Sequence, residues 1–116
     1  MSDRHIYDFN SWLGLTKNAD GDLELEARAP EHQIGNGWVH FAVLTALGEI
    51  AAAQAVGGSV VPASVSANFL RPAPIGKLVA RGKVLSRGRK LRTAEGEIYA
   101  GEKLVAKVTV QFAVIA

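Results

Sequence analysis

Residues 39–56, VHFAVLTALGEIAAAQAV, form the longest segment with helical composition in this 116-residue chain. The segment is rich in alanine and leucine, contains no proline, and is followed by Gly57 and Gly58, which commonly end a helix. We therefore predict a helix over residues 39–56, about 27 Å long at 1.5 Å per residue. Glu49 is its only acidic residue, and it has no lysine or arginine. A helix without a charged face is buried, so other elements must wrap around it.

The residues on both sides of this segment have the pattern of β-strands. Apolar and polar residues alternate in runs that are separated by turn-forming residues, as in half-buried strands. We predict strands in residues 23–29, 64–69, 77–86, 91–100 and 104–114, turns at 18–21, 87–90 and 101–102, a loop at 31–37 and a short helix within 6–14. Short turns join antiparallel neighbours. One strand, a long helix and four strands in succession therefore predict an α+β fold with an antiparallel sheet.

Length and composition limit the possibilities further. The 116 residues, of which 48% are hydrophobic and 21% charged, suit a single domain over residues 1–116. A domain of this size buries a modest core, and oligomerisation would add buried surface. The absence of cysteine excludes disulfides and thiolate metal sites. We find no signal peptide and no stretch long enough to span a membrane, so we expect a cytoplasmic protein with no membrane partner.

Charge is distributed unevenly along the chain. Residues 1–54 contain three basic and eight acidic side chains, whereas residues 55–116 contain ten basic and three acidic ones. Seven of the basic residues lie between Lys77 and Arg92, with no acid among them. This segment predicts a positive potential and an anionic partner, most simply a phosphate; the alternative is a solvated pair of strands. Because no aromatic residues are interleaved with these cations, we do not predict nucleic-acid binding.

Three motifs resemble one known family. Gly37-Trp38-Val39-His40 is followed, nine residues after the histidine, by Glu49. Further along come Phe69-Leu70-Arg71-Pro72-Ala73 and the turn in residues 85–91. In this order the motifs resemble the hotdog-fold thioesterases of the phenylacetate-pathway and 4-hydroxybenzoyl-CoA type, over residues 22–114. The resemblance implies a hotdog fold, a curved antiparallel sheet wrapped around one central helix. His40-Phe41-Ala42 stands where that family has His-Gly-Gly.

The resemblance also implies a set of catalytic residues. Glu49 would attack the thioester carbonyl or activate a water molecule, and burial in an apolar helix should raise its pKa. Thr45, one turn earlier, would orient it. The backbone N–H of Phe41 would hold the oxyanion, as free N–H groups at a helix start can do, while the Phe41 side chain would narrow the acyl pocket. The alternative for Glu49 is a buried interface carboxylate paired with Arg71 or another arginine from a neighbouring subunit.

Binding residues are assigned in the same way. Trp38 and Phe41 would line the acyl pocket, or simply pack in the core or an interface. We include Asn36 as a substrate-binding residue because the family often has Asn or Gln near this place. The phosphates of coenzyme A would bind to the cations of one turn, Arg87, Arg89 and Lys90. His40 is a candidate catalytic residue, but nine helical residues place it opposite Glu49, which favours a structural role at the helix start.

These observations support hydrolysis of an acyl-CoA thioester by a homodimer or homotetramer, because hotdog active sites are built at subunit interfaces. No cofactor is predicted, since coenzyme A would be part of the substrate. One alternative is a hotdog protein that binds acyl-CoA without catalysis. Another, which the nine-residue spacing disfavours, is an acyl-thioester dehydratase or hydratase.

Overall fold

The computed structural model describes residues 9–115. Residues 6–8 of the predicted short N-terminal helix lie outside this range, and the helix is present from Phe9 onward. The elements in chain order are α1 (Phe9–Leu13), β1 (Thr16–Lys17), β2 (Leu23–Ala27), a 3-10 turn (Pro30–His32), β3 (Gln33–Gly35), β4 (Trp38–Val39), α2 (Phe41–Val56), β5 (Val60–Phe69), β6 (Gly76–Arg87), β7 (Leu91–Ala100) and β8 (Lys103–Val114).

Six strands form one antiparallel sheet in the order β1-β2-β6-β7-β8-β5. The helix α2 packs across β6, β7 and β8, and β3 and β4 form a small separate hairpin. Along β8 the alternation predicted from the sequence is confirmed, because Ala106, Val108, Val110 and Phe112 all face the core and are fully buried. The predicted α+β hotdog fold is therefore the observed one.

Three glycines let the helix backbone approach the sheet closely. A Cβ atom at Gly96 of β7 would overlap the carbonyl oxygen of Gly48, and one at Gly82 of β6 would overlap that of Ala51. A Cβ atom at Gly48 would in turn overlap the side chain of Val108. The middle of α2 therefore lies directly on the strands, which sets the position of its neighbour Glu49.

The helix begins two residues later than predicted. Trp38 and Val39 form β4 instead, because the Val39 N–H donates to the Ala73 carbonyl at 2.8 Å. His40 has extended backbone angles (φ −64°, ψ 138°) and is the N-cap of α2. At the other end Gly57, with φ +66°, ends the helix as expected. Among the described residues no helix is long and apolar enough to cross a bilayer.

The predicted loop at residues 31–37 is more ordered than expected. It contains the end of the 3-10 turn and β3, and its tip joins β3 to β4 through three successive positive φ angles, at Gly35 (98°), Asn36 (56°) and Gly37 (79°). Glycine and asparagine are the residues that adopt this conformation most readily. The composition that predicted a loop is therefore the composition of a tight hairpin.

One connection contradicts the expectation that short turns join neighbouring strands. Residues 70–75 lead from β5, at the edge of the sheet, to β6, which lies between β2 and β7. The Leu70 N–H donates to the Val105 carbonyl at 2.8 Å, and the Ile75 N–H donates to the Gly37 carbonyl at 3.0 Å. The curvature of the sheet and this backbone support from β8 and the β3–β4 hairpin allow a short crossing beside the start of α2.

One side of α2 remains uncovered, although the sequence predicted a helix buried on most sides. We call this side the open face; its residues are exposed or half-buried and are Phe41, Ala42, Thr45, Ala46, Glu49 and Ala53. The edge strand β5 is also uncovered on the side that faces the core. Val65 and Phe69 lie opposite the buried Val110 and Ala106, yet both are about half exposed. A contiguous and mainly apolar surface therefore spans the helix and the edge strand.

Candidate active site

Glu49 lies in the middle of the open face of α2. Its side chain is half-buried, and this burial raises the pKa of the carboxyl group above its usual value of 4.5, because an ionised carboxylate loses hydration there. Among residues 9–115, no ion pair or hydrogen bond joins the carboxylate to another side chain. Arg71 of the same chain makes no ion pair with Glu49, and the alternative of pairing with an arginine of a neighbouring subunit stays a prediction. Glu49 therefore has the environment of a reactive carboxylate.

The start of α2 supplies a free hydrogen-bond donor. The His40 Nδ1 atom accepts a hydrogen bond from the Ala42 N–H at 2.9 Å, so His40 caps the helix. Phe41 is the first helical residue, and its N–H has no acceptor within the helix. The Thr45 hydroxyl donates to the Phe41 carbonyl at 2.9 Å. Thr45 is therefore engaged with its own helix and is not bonded to Glu49.

An apolar cleft of about 620 Å³ opens beside the start of α2. Trp38 and Phe41, the two residues assigned to the acyl pocket, both line it. Phe69 and Leu70 line it as well, and Arg71 is the only charged residue among those that do. The sequence pattern did not single out Phe69 and Leu70 as pocket residues, although the alternation in β5 correctly placed Phe69 on the inner side of the sheet.

The donor and the carboxylate are separated along a rigid helix. Phe41 and Glu49 are eight residues apart in α2, which corresponds to about 12 Å along the axis and about 80° of rotation. One thioester carbonyl cannot contact both groups at this separation. Within a single chain, the Phe41 N–H and the Glu49 carboxylate therefore cannot act on the same carbonyl group.

The cations assigned to coenzyme A lie at the opposite end of α2. The Arg87 guanidinium donates to the carbonyl oxygens of Val56 at 3.1 Å and Ala55 at 3.3 Å, and so caps the C-terminus of the helix. Arg89 and Lys90 are exposed in the β6–β7 turn, and no ion pair within the described residues involves them. Asn36 lies at the exposed tip of the β3–β4 hairpin and does not line the apolar cleft.

The positive charge expected from residues 77–92 is partly compensated in the first half of that segment. The acid-rich strand β2 lies beside β6, so the Lys77 Nζ atom is 3.6 Å from Glu24 and the Arg81 Nε atom is 2.9 Å from Asp22. Arg81 also lies over the Tyr99 ring at 5.2 Å. Two of the seven cations are thus paired with acids of the first half of the chain, whereas the other five form no ion pair among the described residues: Lys83, Arg87, Arg89, Lys90 and Arg92.

Comparison with known proteins places the chain in a family. Residues 28–113 match the family model of the acyl-CoA thioesterase N-terminal domain. A search of curated proteins finds no match.

Solved structures have the same fold. A thioesterase from Haemophilus influenzae, HI1161, is 25% identical with a TM-score of 0.83, and the match covers 97% of this chain and 86% of that one. The E. coli PaaI protein from the phenylacetic acid degradation operon is 21% identical with a TM-score of 0.82, covering 97% and 90%. The BH2602 protein from Bacillus halodurans, whose structure contains CoA, is 22% identical with a TM-score of 0.80, covering 90% and 74%.

The resemblance seen over residues 22–114 thus corresponds to a family match over nearly the same range. Together with the fold and the uncovered carboxylate on the central helix, it shows that this chain belongs to the acyl-CoA thioesterase family of the hotdog superfamily, whose chemistry is the hydrolysis of thioesters.

Proposed function

We propose that this chain hydrolyses acyl-CoA thioesters as a homodimer, or a tetramer built from such dimers, in which each active site combines Glu49 of one protomer with the Phe41 N–H of the other. One observation carries this proposal. The two groups lie on the same open face of one helix but are about 12 Å apart, so only a second copy can bring them to one carbonyl.

The open face has the geometry for such an arrangement. A two-fold axis perpendicular to α2 and near Thr45, midway between the two residues, places Phe41 of each protomer opposite Glu49 of the other. The side chains around that midpoint are small, since Ala42, Thr45 and Ala46 occupy it. Small residues allow two antiparallel helices to approach closely, so the open face fits a second copy of itself.

The edge strand β5 supports the same assembly. It is ten residues long and pairs with β8 on one side only. Val61, Val65 and Phe69 are each 43–46% exposed along it. A long apolar edge strand that stays unpaired is an aggregation hazard, and pairing with the same strand of a second protomer removes it.

The reaction follows from these groups. The Glu49 carboxylate removes a proton from a water molecule as the water oxygen adds to the thioester carbonyl, and the Phe41 N–H stabilises the negative charge on the carbonyl oxygen. The carbon–sulfur bond then breaks, and the proton passes to the departing thiolate. Alternatively, the Glu49 carboxylate attacks the carbonyl itself, the carbon–sulfur bond breaks and the thiolate leaves. Water then hydrolyses the resulting anhydride, which regenerates the carboxylate and supplies the proton for the thiolate. The raised pKa of Glu49 makes its carboxylate a stronger base in both routes.

The acyl group would occupy the apolar cleft beside Phe41. The phosphates of coenzyme A would bind to Arg89 and Lys90, with Arg87 close by, at the far end of the interface. This assignment rests on their charge and exposure, because a phosphate takes an unpaired cation more readily than one already held in an ion pair.

The first test is Glu49→Gln, measured by thiol release from a panel of acyl-CoAs. We expect kcat to fall by about 100-fold or more, the usual contribution of a positioned base. Glu102→Gln, an exposed carboxylate in the β7–β8 turn, is the matched control and should keep full activity. The proposal fails when wild type turns over none of the substrates, or when the Glu49 variant is as fast.

The second test asks whether the site is shared between protomers. Phe41→Pro removes the backbone N–H at a position where proline is tolerated, the first residue of a helix, whereas Phe41→Ala keeps the N–H. Both Phe41→Pro and Glu49→Gln should be inactive alone. After subunit exchange, half of the dimers are mixed and each has one intact site, so roughly a quarter of wild-type activity should return. No recovery would place both groups in one protomer.

A second candidate function is binding of acyl-CoA without hydrolysis. The observation that favours it is the Phe41 ring, which is 57% exposed and projects into the cleft at a place where the resembling enzymes have glycine. Calorimetric titration would support this candidate through tight binding of an acyl-CoA that the protein does not turn over.

A further inference from the structure

We infer that the ring of Phe41 limits the length of the acyl group, which makes this chain selective for short, uncharged, apolar acyl thioesters. The inference rests on the proposed function and adds a substrate class to it. It concerns the side chain of Phe41, whereas the proposed catalysis uses only the backbone N–H of this residue.

The ring is held in place on two sides although it is largely exposed. It stacks on the His40 imidazole with a centroid distance of 4.4 Å and an interplanar angle of 30°. It also meets the edge of the Phe69 ring at 6.0 Å and 68°. Such aromatic contacts favour a defined orientation. His40 is itself held by the hydrogen bond that its side chain accepts from the Ala42 N–H. The Phe41 ring is therefore held in one orientation by its two aromatic neighbours.

The position of the ring relative to the donor determines what it can restrict. The ring and the N–H belong to the same residue, so a carbonyl oxygen bound to this N–H lies next to the ring. An acyl chain that leaves this carbonyl into the apolar cleft must therefore pass the ring, which lines the cleft together with Trp38 and Leu70.

A second cleft, of about 230 Å³, lies on the other side of the stacked pair. It is lined by Trp12, Ala42 and Val43, and His40 forms its boundary as Phe41 forms that of the first cleft. The His40–Phe41 pair thus stands between two apolar spaces. Removal of the Phe41 ring would lengthen the first space toward the second, and a larger ring would shorten it.

The lining determines the chemistry of the acyl group. Apart from Arg71, the residues that line the first cleft are apolar, and no described carboxylate or amide side chain is among them. A polar or charged acyl chain would lose hydration there without gaining hydrogen bonds. A hydrocarbon group of limited length is the group that fits.

The experiment compares kcat/KM across acetyl-, butyryl-, hexanoyl-, octanoyl-, decanoyl- and palmitoyl-CoA for wild type, Phe41→Ala and Phe41→Trp. Each methylene that gains or loses its place in an apolar pocket changes the rate roughly tenfold or more. We therefore expect the optimum to move to longer chains in Phe41→Ala, with at least a tenfold rise in the ratio of long-chain to short-chain kcat/KM, and to shorter chains in Phe41→Trp.

Ile115→Ala is the matched control, because Ile115 is similarly exposed (62%) and lines neither cleft, and the optimum of this variant should stay at the wild-type length. Dissociation constants for a parallel series of thioether analogues, which cannot be hydrolysed, report the same preference without catalysis. An unchanged optimum and unchanged dissociation constants in both variants would overturn the inference. If the dissociation constants shift between wild type and the two variants as expected, but wild type hydrolyses no thioester, only the proposed function is overturned.

Discussion

The two sides of α2 differ in whether other residues of the chain cover them. On the side that faces the sheet, Leu47 is fully buried and the Gly48 backbone meets Gly96 without room for a methyl group. On the open face, Ala42, Thr45 and Glu49 meet solvent in the single chain. The first side is satisfied by residues of the same chain, whereas the second needs another molecule. The difference indicates that the inner side specifies the fold, whereas the open face is the place of the proposed chemistry and assembly.

The strongest test of the inner side is Leu47→Ala. The substitution removes buried apolar atoms and leaves a cavity between α2 and the sheet, so we expect a loss of about 2–5 kcal/mol in the free energy of unfolding. Urea denaturation measures it. Thr45→Ala, on the open face two residues away, should change stability by less than about 0.5 kcal/mol in the protomer. Equal losses from the two variants would erase the distinction between the two sides.

The next test places a charge on the open face. Ala42→Glu adds a carboxylate in the first turn of α2, where the helix dipole favours it, so the protomer should stay folded. In the proposed dimer, however, this carboxylate faces Glu49 of the partner subunit, and like charges across an interface are costly. We expect association to weaken about 100-fold or more, roughly 2.7 kcal/mol, with a parallel loss of activity.

Sedimentation velocity and thiol release measure these two effects. Ala19→Glu, in the exposed β1–β2 turn, is the control and should change neither association nor activity. If Ala42→Glu still assembles and hydrolyses substrate like wild type, the open face is not the interface.

A smaller loss of stability is expected at His40, the residue that caps the start of α2. His40→Ala removes the side chain that caps α2, and the loss of such a cap costs about 1 kcal/mol. His40→Asn supplies another capping side chain and should restore most of this stability. Thermal unfolding of the three proteins separates the cases, since equal destabilisation by alanine and asparagine would show that capping is not the contribution of His40.

The smallest expected effect concerns Glu49 and pH. Because burial raises the pKa of this carboxyl group in the folded state, the stability it contributes is present below pH 4.5, the usual pKa, and is lost as pH rises through the folded-state pKa. Glu49→Gln avoids this loss, so the variant should be more stable than wild type near neutral pH and no more stable below 4.5. Half-exposure to water keeps the difference small.

Melting temperatures of the two proteins across the pH range measure this difference. A gap that is constant with pH would contradict it. The measurement also bears on the comparison between the two sides of α2. It shows whether the ionised Glu49 carboxylate lowers the stability of the folded chain on the open face.

Much of the fold follows from local patterns in the sequence. The alternation in β8 predicted that strand, because burial in a strand repeats every two residues. The mainly apolar, alanine- and leucine-rich composition of α2 predicted the helix. The start of α2 was misplaced because the backbone at Val39 is set by a hydrogen bond to Ala73, a residue far along the chain. Local composition contains no information about such a contact.

The candidate site also has features that local sequence predicted and features that it did not. Glu49 could be singled out from the sequence because it is the one carboxylate in an apolar helix. That the Arg87 side chain caps the C-terminus of this helix, and that Phe69 packs against Phe41, could not, because both contacts join residues nearly thirty or more positions apart. The same holds for Lys77 and Arg81, whose partners are on β2.

The sequence by itself determined the fold class, the central helix and the identity of its single carboxylate. These features depend on residue types and on patterns among residues that are close together in the chain. The tertiary structure decided which residues are neighbours across the sheet, which charges cancel and which side of the helix remains open. It also showed that Phe41 and Glu49 lie on the same open face of one helix, too far apart to contact one carbonyl group. The proposed chemistry therefore requires a second copy of the chain.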